Sequence, residues 1–400
     1  MSKPKIKIIH LIGSLNPGGV QTYILNIANY DSSYGIHREV CTLYQSKGLL
    51  FNQFIKKNIK ISFCPIMPID RNWRPYSLWK KLRSFAGFLY FFRLYKILKT
   101  SKPDIIILDE PAKLFTQFIV PRLLNIPIIW NIHAERSLVK NKTLFKWLYK
   151  YFLKKNLAII ADSKFVLSKN LRYMKNYLKE DYEKIPIVHA TVDLNKFLSI
   201  NKKSEDQKTK NRTIILGSIG RLNWAKGYDL LIKALSRIKK KHPNFHLKIA
   251  GDGPYRNLLE NMVKKYSLQS NVSMLGELNY NDIPNFLLSI DLYIQPSISE
   301  GSPITIKEAM ASALPILASK AGGIPEIIDH NNTGLLFENG SITELEKGLT
   351  KLLNMDNSLK QKMGKRAREN SMKLFNIEKT AQRLASIYNS VLNDHKSYSI

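Results

Sequence analysis

Short apolar runs alternate along the chain with longer segments in which apolar residues recur every three or four positions. The runs IKIIHLI and DIIIL have the length and composition of buried strands, and VQTYILNIANY has the spacing of a helix. The alternation starts again at TIILGSI and continues as far as LPILAS. Buried strands that alternate with helices are typical of parallel sheets covered on both faces. The pattern predicts an α/β fold.

The alternation breaks between residues 188 and 210, where the segment NKKSEDQKTKNR is polar and densely charged. Such a segment indicates a surface loop or linker, and 400 residues favour two domains of about 150–200 residues over a single core. We predict a Rossmann-like domain over residues 1–190, a second over 191–375 and a C-terminal helix within 376–400. Two parallel sheets facing a central cleft would bind ligands at the carboxyl ends of their strands.

The cysteines and the apolar runs of the sequence indicate the cellular compartment of the protein. Cys41 and Cys64 form neither a metal-ligand spacing nor a disulfide framework, which fits a reducing cytoplasm. The basic N-terminus lacks a small-residue cleavage site, so we interpret its apolar run as the first buried strand. No run of 18 apolar residues is present, and we expect no transmembrane helix.

The chain is strongly basic, with a formal net charge of +31. Residues 1–200 contain 33 lysines and arginines against 12 acidic residues. Such a field attracts nucleic acid, anionic lipid headgroups or phosphorylated substrates, although lysines that only solubilise the surface give the same count. Residues 71–102 and 144–155 also mix aromatic with basic side chains. This mixture suits an anionic membrane surface, base stacking, or helices that cover a sheet with their apolar faces inward.

Candidate ligand-binding residues of the first domain follow its predicted strands. Gly18 and Gly19 lie between the first strand and a helix, where backbone N–H groups approach a ligand and favour an anion. An ordinary tight turn explains the two glycines equally well. His133 follows the strand IPIIWNI and would point into the cleft, whereas His10 and His37 have a less clear strand-end placement. A lone histidine is more often structural than functional.

Two cations occupy the corresponding place in the second domain. Arg221 and Lys226 lie between a strand end and a helix start, in GRLNWAKG. An arginine fork and a lysine ammonium at this place would neutralise a diphosphate leaving group; two solvated surface cations are the alternative. Gly251, in AGDGP, ends another strand, and the composition of its segment is that of a turn.

Glu300 and Glu308 stand eight positions apart around a Gly-Ser-Pro loop and a predicted helix start. A carboxylate there can hold sugar hydroxyls, and the free N–H groups of a helix start can meet phosphate oxygens. We predict that one acid binds a sugar and the other a nucleotide ribose, with the diphosphate between them. For Glu308 alone, an acid favoured by the helix dipole is the alternative. The predicted site includes the residues of the loop and helix start: Gly301, Ser302, Pro303, Ile304 and Thr305.

In this order the motifs resemble retaining glycosyltransferases of the GT-B fold, family GT4, also described as group 1. The resemblance covers nearly the whole chain and is strongest from Gly217 to Phe337. The residues that carry it are Gly18-Gly19, His133, Arg221 with Lys226-Gly227, Gly251-Asp252-Gly253-Pro254, Glu300 with Glu308, and Gly322-Gly323-Ile324-Pro325-Glu326.

The resemblance implies a nucleotide-sugar donor held mostly by the second domain. It places Arg221 and Lys226 on the diphosphate, Glu308 on the ribose and Glu300 on the donor sugar. Gly19 would lie under the phosphates or the acceptor, and His133 beside the reacting sugar.

The family is thought to transfer the sugar by a front-face route, in which the departing phosphate helps to deprotonate the acceptor. No cofactor or metal is expected, because arginine and lysine neutralise the diphosphate and the chain lacks an Asp-x-Asp. The family's C-terminal helices brace the first domain, and residues 374–391 suit that role.

The chain departs from the family pattern at two places. Many relatives have a His-rich strand end where this chain has Leu108-Asp109-Glu110-Pro111, and many have Asn-Gly-Val-Asp where it has His189-Ala190-Thr191-Val192-Asp193. The first departure concerns the acceptor side, and the second concerns the hinge between the domains.

We expect a UDP-sugar-dependent glycosyltransferase of bacterial surface polysaccharide synthesis, that is, of a capsule, exopolysaccharide or O-antigen. Its acceptor would be a glycan or a polyprenyl-diphosphate-linked glycan, and it would act in the cytoplasm at the inner face of the membrane, without binding nucleic acid. The alternatives are a nucleotide-sugar epimerase on the same fold and a non-catalytic basic protein that binds membrane or nucleic acid. A phosphorylase would need a pyridoxal-phosphate lysine, which the motifs do not place.

Overall fold

In a computed structural model the chain forms two compact units, one of residues 1–190 with 377–400 and one of residues 191–376. Most of the basic segment 144–155, the start of the basic segment at 71–75 and most of the predicted linker lie outside the described residues. The structure describes residues 6–16, 18–43, 48–65, 76–109, 114–133, 147, 150, 156–178, 180–191, 193–198 and 212–397.

The first unit contains a six-stranded parallel sheet. Its strands are β1 Ile6–Ile12, β2 Ile36–Thr42, β3 Lys60–Phe63, β4 Ile105–Leu108, β5 Ile128–Ile132 and β6 Leu157–Ala161. They lie in the order β3-β2-β1-β4-β5-β6, so that β1 pairs with both β2 and β4. The central strands are buried almost throughout, because helices cover both faces, and this is why their sequences are apolar runs rather than alternating patterns.

Helices connect these strands and complete the core of the first unit. They are α1 Gly19–Ile27, α2 Asp31–Tyr34, α3 Phe51–Lys56, α4 Tyr76–Ser101, α5 Leu114–Leu123, α6 Lys164–Leu171, α7 Lys175–Leu178 and α8 Glu180–Glu183. The long helix α4 buries Tyr90, Leu94 and Leu98 in the same cluster as Trp130 of β5. The spacing of these three residues is that of one helix face, as expected for a helix covering a sheet.

The second unit repeats this plan. Its strands are β7 Ile214–Ile219, β8 Phe245–Ala250, β9 Val272–Gly276, β10 Leu292–Gln295, β11 Ile316–Ser319 and β12 Leu335–Phe337. They form a parallel sheet in the order β12-β11-β10-β7-β8-β9. Its helices are α9 Asn195–Leu198, α10 Tyr228–Ile238, α11 Arg256–Lys265, α12 Ile283–Leu288, α13 Ile304–Ala311, α14 Ile342–Asn354 and α15 Asn357–Leu374.

The last helix, α16, spans Ile377–Ser397 and belongs to the first unit, where it packs against α1 and α2. Its buried residues include Ala381, Leu384 and Tyr388. Leu374 ends the preceding helix, so the packing helix begins later than the segment 374–391 expected for it.

The prediction of an α/β fold with two parallel-sheet units is confirmed. The predicted and observed bounds of helices and strands differ by a few residues where the apolar pattern continues beyond the last backbone hydrogen bond of the element. The helix predicted at VQTYILNIANY spans Gly19–Ile27, and the C-terminal helix predicted within 376–400 spans Ile377–Ser397. Such differences are ordinary, because helix ends are set by capping and packing as well as by periodicity.

Helix α15 is held close to α13 by a glycine contact. A Cβ atom added at Gly364 would lie 2.0 Å from the backbone oxygen of Ala313, just after α13. Arg368 also donates from Nε to the Ala311 oxygen at 2.8 Å. The end of α13 is therefore held by α15, which follows two strands and the helix α14 along the chain.

We expect Gly364→Ala to destabilise the protein by about 1–3 kcal/mol, because the added methyl group displaces backbone. On an exposed helix the same change would stabilise it by about 1 kcal/mol. Thermal unfolding followed by circular dichroism measures the effect. Lys365→Ala, at an exposed neighbour on α15, serves as the control and should change stability by less than about 0.5 kcal/mol. An unchanged or higher Tm for Gly364→Ala would contradict this packing.

Candidate functional site

Adjacent strands of the second sheet bring two of the predicted motifs together. Strands β7 and β10 pair directly, so the loop after β7 and the loop after β10 begin at the same edge of the sheet. The backbone N–H of Ile298 donates to the Ala225 oxygen at 2.8 Å, and that of Ser299 to the same oxygen at 3.3 Å. The Arg221–Gly227 loop and the loop that leads to Glu300 are therefore joined through their backbones.

An ion pair connects the same two loops through their side chains. Lys226 Nζ lies 2.6 Å from Glu300 Oε1, with both side chains largely buried. The same Oε1 atom accepts hydrogen bonds from Ser297 Oγ at 2.7 Å and Gln295 Nε2 at 2.9 Å. With three donors on Oε1, the Glu300 carboxylate is fixed in orientation, and no described residue donates to its second oxygen.

Gln295 continues this network into the core. Its Oε1 accepts from Tyr293 Oη at 2.7 Å and from Thr305 Oγ1 at 3.3 Å, while its Nε2 donates to Ser297 Oγ at 2.7 Å. Gln295 and Tyr293 are buried at the end of β10. Because each amide end meets partners of the right polarity, the orientation of Gln295 is determined and it holds Glu300 in place.

Two glycines allow these loops to approach each other closely. Gly227 has φ +63°, and a Cβ atom there would lie 2.1 Å from the Pro296 oxygen. Gly322 has φ +58°, and its Cβ atom would lie 1.7 Å from the Glu300 oxygen. Any larger residue at these positions would move the backbone that carries Lys226 or Glu300.

Helix α13 begins directly after this loop, and no side chain caps its N-terminus. Four N–H groups at the start of a helix lack intrahelical partners, and together with the helix dipole they favour an anion. The loop and first turn contain Ser302, Pro303, Ile304 and Thr305, as the sequence predicted. No acidic residue lies in the first turn.

Glu308, one turn further along α13, is buried and has no hydrogen-bonding partner. Its exposed fraction is 1%, and neither Oε1 nor Oε2 meets a donor among the described residues. Burial raises its pKa to about 8, against a smaller lowering effect of Lys196. A buried carboxyl group without partners is costly, so this position fits a ligand that supplies hydrogen-bond donors.

The remaining predicted residues of the second unit divide into two kinds. Arg221 is exposed and makes no hydrogen bond or ion pair with any residue that the structure describes. Gly251 has φ +141°, and a Cβ atom there would lie 2.1 Å from the Gly220 oxygen. Arg221 is therefore available to a ligand, whereas Gly251 allows the ends of β7 and β8 to approach.

In the first unit His133 lies at the end of β5 between two carboxylates. Its Nδ1 is 2.8 Å from Asp162 Oδ2, and its Nε2 is 2.8 Å from Asp109 Oδ1. Burial alone would lower its pKa, but Asp162 and then Asp109 outweigh that effect and raise the pKa of His133 to about 10. Because both nitrogens face acceptors, both carry protons and the ring is an imidazolium at neutral pH.

The chain of buried polar groups continues from Asp109 across the sheet. Asp109 Oδ2 lies 2.6 Å from His10 Nδ1, and Arg38 donates to His10 Nε2. Arg38 also forms a two-bond pair with Asp31, at 2.8 and 2.7 Å. Burial lowers the pKa of His10, and despite burial the two histidines hold the pKa of Asp109 well below its usual range. His133 is thus part of a connected group of buried polar residues.

The glycine pair lies at the start of the first helix, where the sequence placed it. Gly18 is the N-cap residue of α1, in an extended conformation, and Gly19 is the first helical residue. A Cβ atom at Gly18 would meet Gln21 Oε1 at 2.6 Å, and Gln21 donates to the Ser14 oxygen at 2.9 Å. Within the described residues no group of three His, Cys, Asp or Glu side chains is placed to hold a metal ion.

The structure joins Lys226, Glu300 and Thr305 through Gln295 in one hydrogen-bonded network of the second unit. Ser302 lies in the loop between Glu300 and α13, and Glu308 lies on α13. Sequence reasoning missed Gln295, Asp109 and Asp162. The signal for Asp109 and Asp162 was the one used for His133, namely a polar residue directly after an apolar strand. Gln295 had a weaker signal, a single amide at the end of an apolar strand.

Comparisons with known proteins match both halves of the chain. A family model described as glycosyl transferases group 1 matches residues 199–370, and one described as glycosyltransferase family 4 matches residues 17–196. An uncharacterized glycosyltransferase of Haemophilus influenzae is 29% identical over 84% of this chain and 87% of its own length.

A second relative is the Escherichia coli UDP-Gal:alpha-D-GlcNAc-diphosphoundecaprenol alpha-1,3-galactosyltransferase. It is 27% identical, over 96% of this chain and 97% of its own length. The crystal structure of Anabaena Alr3699/HepE in complex with UDP-glucose has a TM-score of 0.76 at 20% identity, covering 96% of this chain and 100% of that one. At 20% sequence identity this structural similarity supports the fold alone.

The burial of Glu308 predicts an unusual dependence of stability on pH. Its pKa in the folded protein lies above the unfolded value, so the folded state retains a proton that the unfolded state releases between pH 4.5 and 8. Stability is then lost as the pH rises through that window. We expect Glu308→Gln, which cannot ionise, to gain about 1–2 kcal/mol relative to the parent protein between pH 6 and pH 8.

The measurement is the difference in thermal unfolding between Glu308→Gln and the parent protein at the two pH values. Glu277→Gln removes an exposed acid from the same unit and serves as the control. Its difference from the parent protein should not change with pH. A similar pH response of the two variants would show that Glu308 is not held protonated by burial.

Proposed function

Because the chain belongs to the glycosyltransferases that these two family models describe, we propose that it transfers a sugar from a UDP-sugar, with retention of the anomeric configuration. The acceptor is a glycan or a lipid-linked glycan of a bacterial surface polysaccharide. The retaining geometry and the acceptor class are inferred from the family resemblance and from relatives such as the E. coli galactosyltransferase. One observation of this chain supports the nucleotide part of the donor.

That observation is that Glu308 accepts no hydrogen bond from any described residue. Its buried carboxyl group has two oxygens without donors, and the 2′- and 3′-hydroxyls of a ribose are two adjacent donors. A bidentate hydroxyl pair prefers the ionised carboxylate, which accepts at both oxygens. Ribose binding would therefore release the proton that burial retains and would remove the cost of the unpaired group.

The neighbouring charges suit the rest of a nucleotide sugar. The uncapped start of α13 and the free guanidinium of Arg221 would hold the diphosphate, with Lys226 supplying a further positive charge. Glu300 has one oxygen fixed by three donors, which leaves the other for a hydroxyl of the donor sugar. Neutralising the departing diphosphate in this way needs no resident cofactor or metal ion in the proposed reaction.

The proposed reaction follows a front-face route. The bond between the sugar and the UDP oxygen breaks as the acceptor oxygen attacks from the same side, and the departing diphosphate takes the acceptor proton. Both nitrogens of His133 donate to carboxylates, so His133 does not act as the base. Its contribution is to hold Asp109 and Asp162 at the carboxyl edge of the first sheet, on the proposed acceptor side.

We also propose that the first unit contacts the cytoplasmic face of an anionic membrane. Helix α4 leaves Phe88 59% and Phe92 50% exposed, with their ring centres 4.6 Å apart. The exposed residues Arg93, Lys96 and Lys99 follow on the next turns. Exposed aromatic rings beside cations suit a lipid interface. In the described residues no helix has the length and apolar character needed to cross a membrane.

Calorimetric titration with UDP and with GDP tests the donor assignment. We expect saturable binding of UDP, weaker binding of GDP, and at least a 100-fold loss of UDP affinity in Glu308→Ala, since two hydrogen bonds to a charged group are lost. UDP affinity should rise from pH 6 to pH 8 as Glu308 ionises. Glu277→Ala is the control. Equal UDP binding by Glu308→Ala and the parent protein would refute the ribose assignment.

Flotation with liposomes tests the membrane contact. The parent protein should bind vesicles containing phosphatidylglycerol at low salt and bind neutral phosphatidylcholine vesicles much less. The double variant Phe88→Ser, Phe92→Ser should reduce the bound fraction several-fold, because it removes the rings and keeps the charges. Leu359→Ser changes a similarly exposed apolar residue of the second unit and should have no effect. Equal binding by both variants would exclude α4 as the contact.

A further inference from the structure

Asp162 belongs to the connected group of buried polar residues around His133, and one of its carboxylate oxygens has no partner. The residue directly follows β6 and is 4% exposed. Its Oδ2 atom accepts a hydrogen bond from His133 Nδ1 at 2.8 Å, whereas Oδ1 meets no donor among the described residues. A buried carboxylate oxygen without a donor is costly, so this position favours a ligand group that donates a hydrogen bond.

A second acceptor in the same connected group is also unpaired. Asn131, in β5, is 5% exposed, and its Oδ1 atom meets no donor in the part of the chain that the structure describes. Its Nδ2 atom donates to Asp109 Oδ1 at 3.1 Å, and this oxygen also lies 2.8 Å from His133 Nε2. The contact with Asp109 determines which end of the amide is the donor. Two unpaired acceptors in one group indicate a ligand that has more than one hydrogen-bond donor.

The hydrogen bonds of the connected group also fix its charges. His133 faces a carboxylate at each nitrogen and is therefore an imidazolium. His10 accepts from Arg38 at Nε2 and donates to Asp109 at Nδ1, so it is neutral. The group thus contains two cations, the side chains of Arg38 and His133. Its three carboxylates are those of Asp31, Asp109 and Asp162. One negative charge remains.

This charge decides which part of a glycan acceptor suits the connected group. The hydroxyl groups of a saccharide are hydrogen-bond donors, and an ionised carboxylate accepts from them more strongly than a neutral group does. A diphosphate diester has no donor at neutral pH, and a net negative charge repels it. Strands β5 and β6 pair as far as Ile132 and Ala161, so His133 and Asp162 follow adjacent strand ends, where ligands bind in parallel sheets.

We propose that Asp162 binds a hydroxyl group of the acceptor saccharide through Oδ1. Asn131 Oδ1 accepts from a second hydroxyl, and His133 holds the Asp162 carboxylate in place through Oδ2. This inference rests on the proposed glycosyl transfer and names residues of the first unit that select the acceptor sugar. In a polyprenyl-diphosphate-linked acceptor, the sugar and not the diphosphate lies against this group.

Ligand-observed NMR titration with saccharides, in the presence and absence of UDP, tests the proposal. The probes are the methyl glycosides of glucose, galactose, N-acetylglucosamine and N-acetylgalactosamine. We expect saturable binding of at least one glycoside by the parent protein and an affinity about tenfold lower in Asp162→Asn. The amide of this variant still accepts from His133 but lacks the charged second oxygen. Asp181→Asn removes an exposed carboxylate of the same unit and is the matched control, with affinity unchanged within about twofold.

Monodeoxy analogues of the glycoside that binds best separate a direct contact from a structural effect of the substitution. In the parent protein, one analogue should bind about tenfold more weakly, because it lacks the hydroxyl that donates to Asp162. In Asp162→Asn the same analogue and the complete glycoside should differ by less than about threefold. Equal losses in the two proteins, or no effect of Asp162→Asn on any glycoside, would overturn the inference.

The result is distinguishable from that of the UDP titration. Asp162→Asn should bind UDP as the parent protein does, within about twofold, because the residue lies in the other unit. If the parent protein binds UDP but none of the glycosides, this inference fails alone, and an ordered water is then the partner of Asp162 Oδ1. Glycoside binding that depends on Asp162 without any UDP binding would support the saccharide site and overturn the proposed donor.

Discussion

The ion pair between Lys226 and Glu300 fixes the geometry on which the candidate donor site depends. It joins loops that follow two adjacent parallel strands, and the three donors on one Glu300 oxygen compensate for burial of the charge. Gly227 and Gly322 permit the close backbone approach that the pair requires. A carboxylate held in this way presents its second oxygen in a defined direction, and such preorganisation distinguishes one hydroxyl arrangement from another.

Glu308 follows the opposite principle. One oxygen of Glu300 has three protein donors, whereas Glu308 is buried without a partner and retains a proton because ionisation there is unfavourable. The unpaired carboxyl group lowers the free energy of unfolding. Such a loss of stability is common at binding sites, whose groups are complementary to a ligand. In the binding mode proposed above, two ribose hydroxyls would recover this free energy when they bind Glu308. In this proposal the same side chain determines both the affinity for the nucleotide and the pH dependence of folding stability.

The sequence was informative where local pattern and sheet topology act together. Buried strands are apolar runs, and parallel strands bring their carboxyl ends to one edge. The placement of the Arg221–Lys226 loop and the Glu300 loop at one edge of the second sheet was therefore predictable. The supporting residues were not, because their partners are distant along the chain. His10 and Asp109 are 99 residues apart, and no periodicity relates them.

The buried polar chain of the first unit constrains how a reaction at its edge can move protons. The chain of contacts runs from Asp31 through Arg38, His10 and Asp109 to His133 and Asp162. Asp162 Oδ1 is the one carboxylate oxygen of Asp109 and Asp162 that lacks a partner among the described residues. An imidazolium held between two carboxylates does not accept a proton at neutral pH. In the reaction proposed above, the acceptor proton would therefore go to a group other than His133, and the departing diphosphate is the group that we propose.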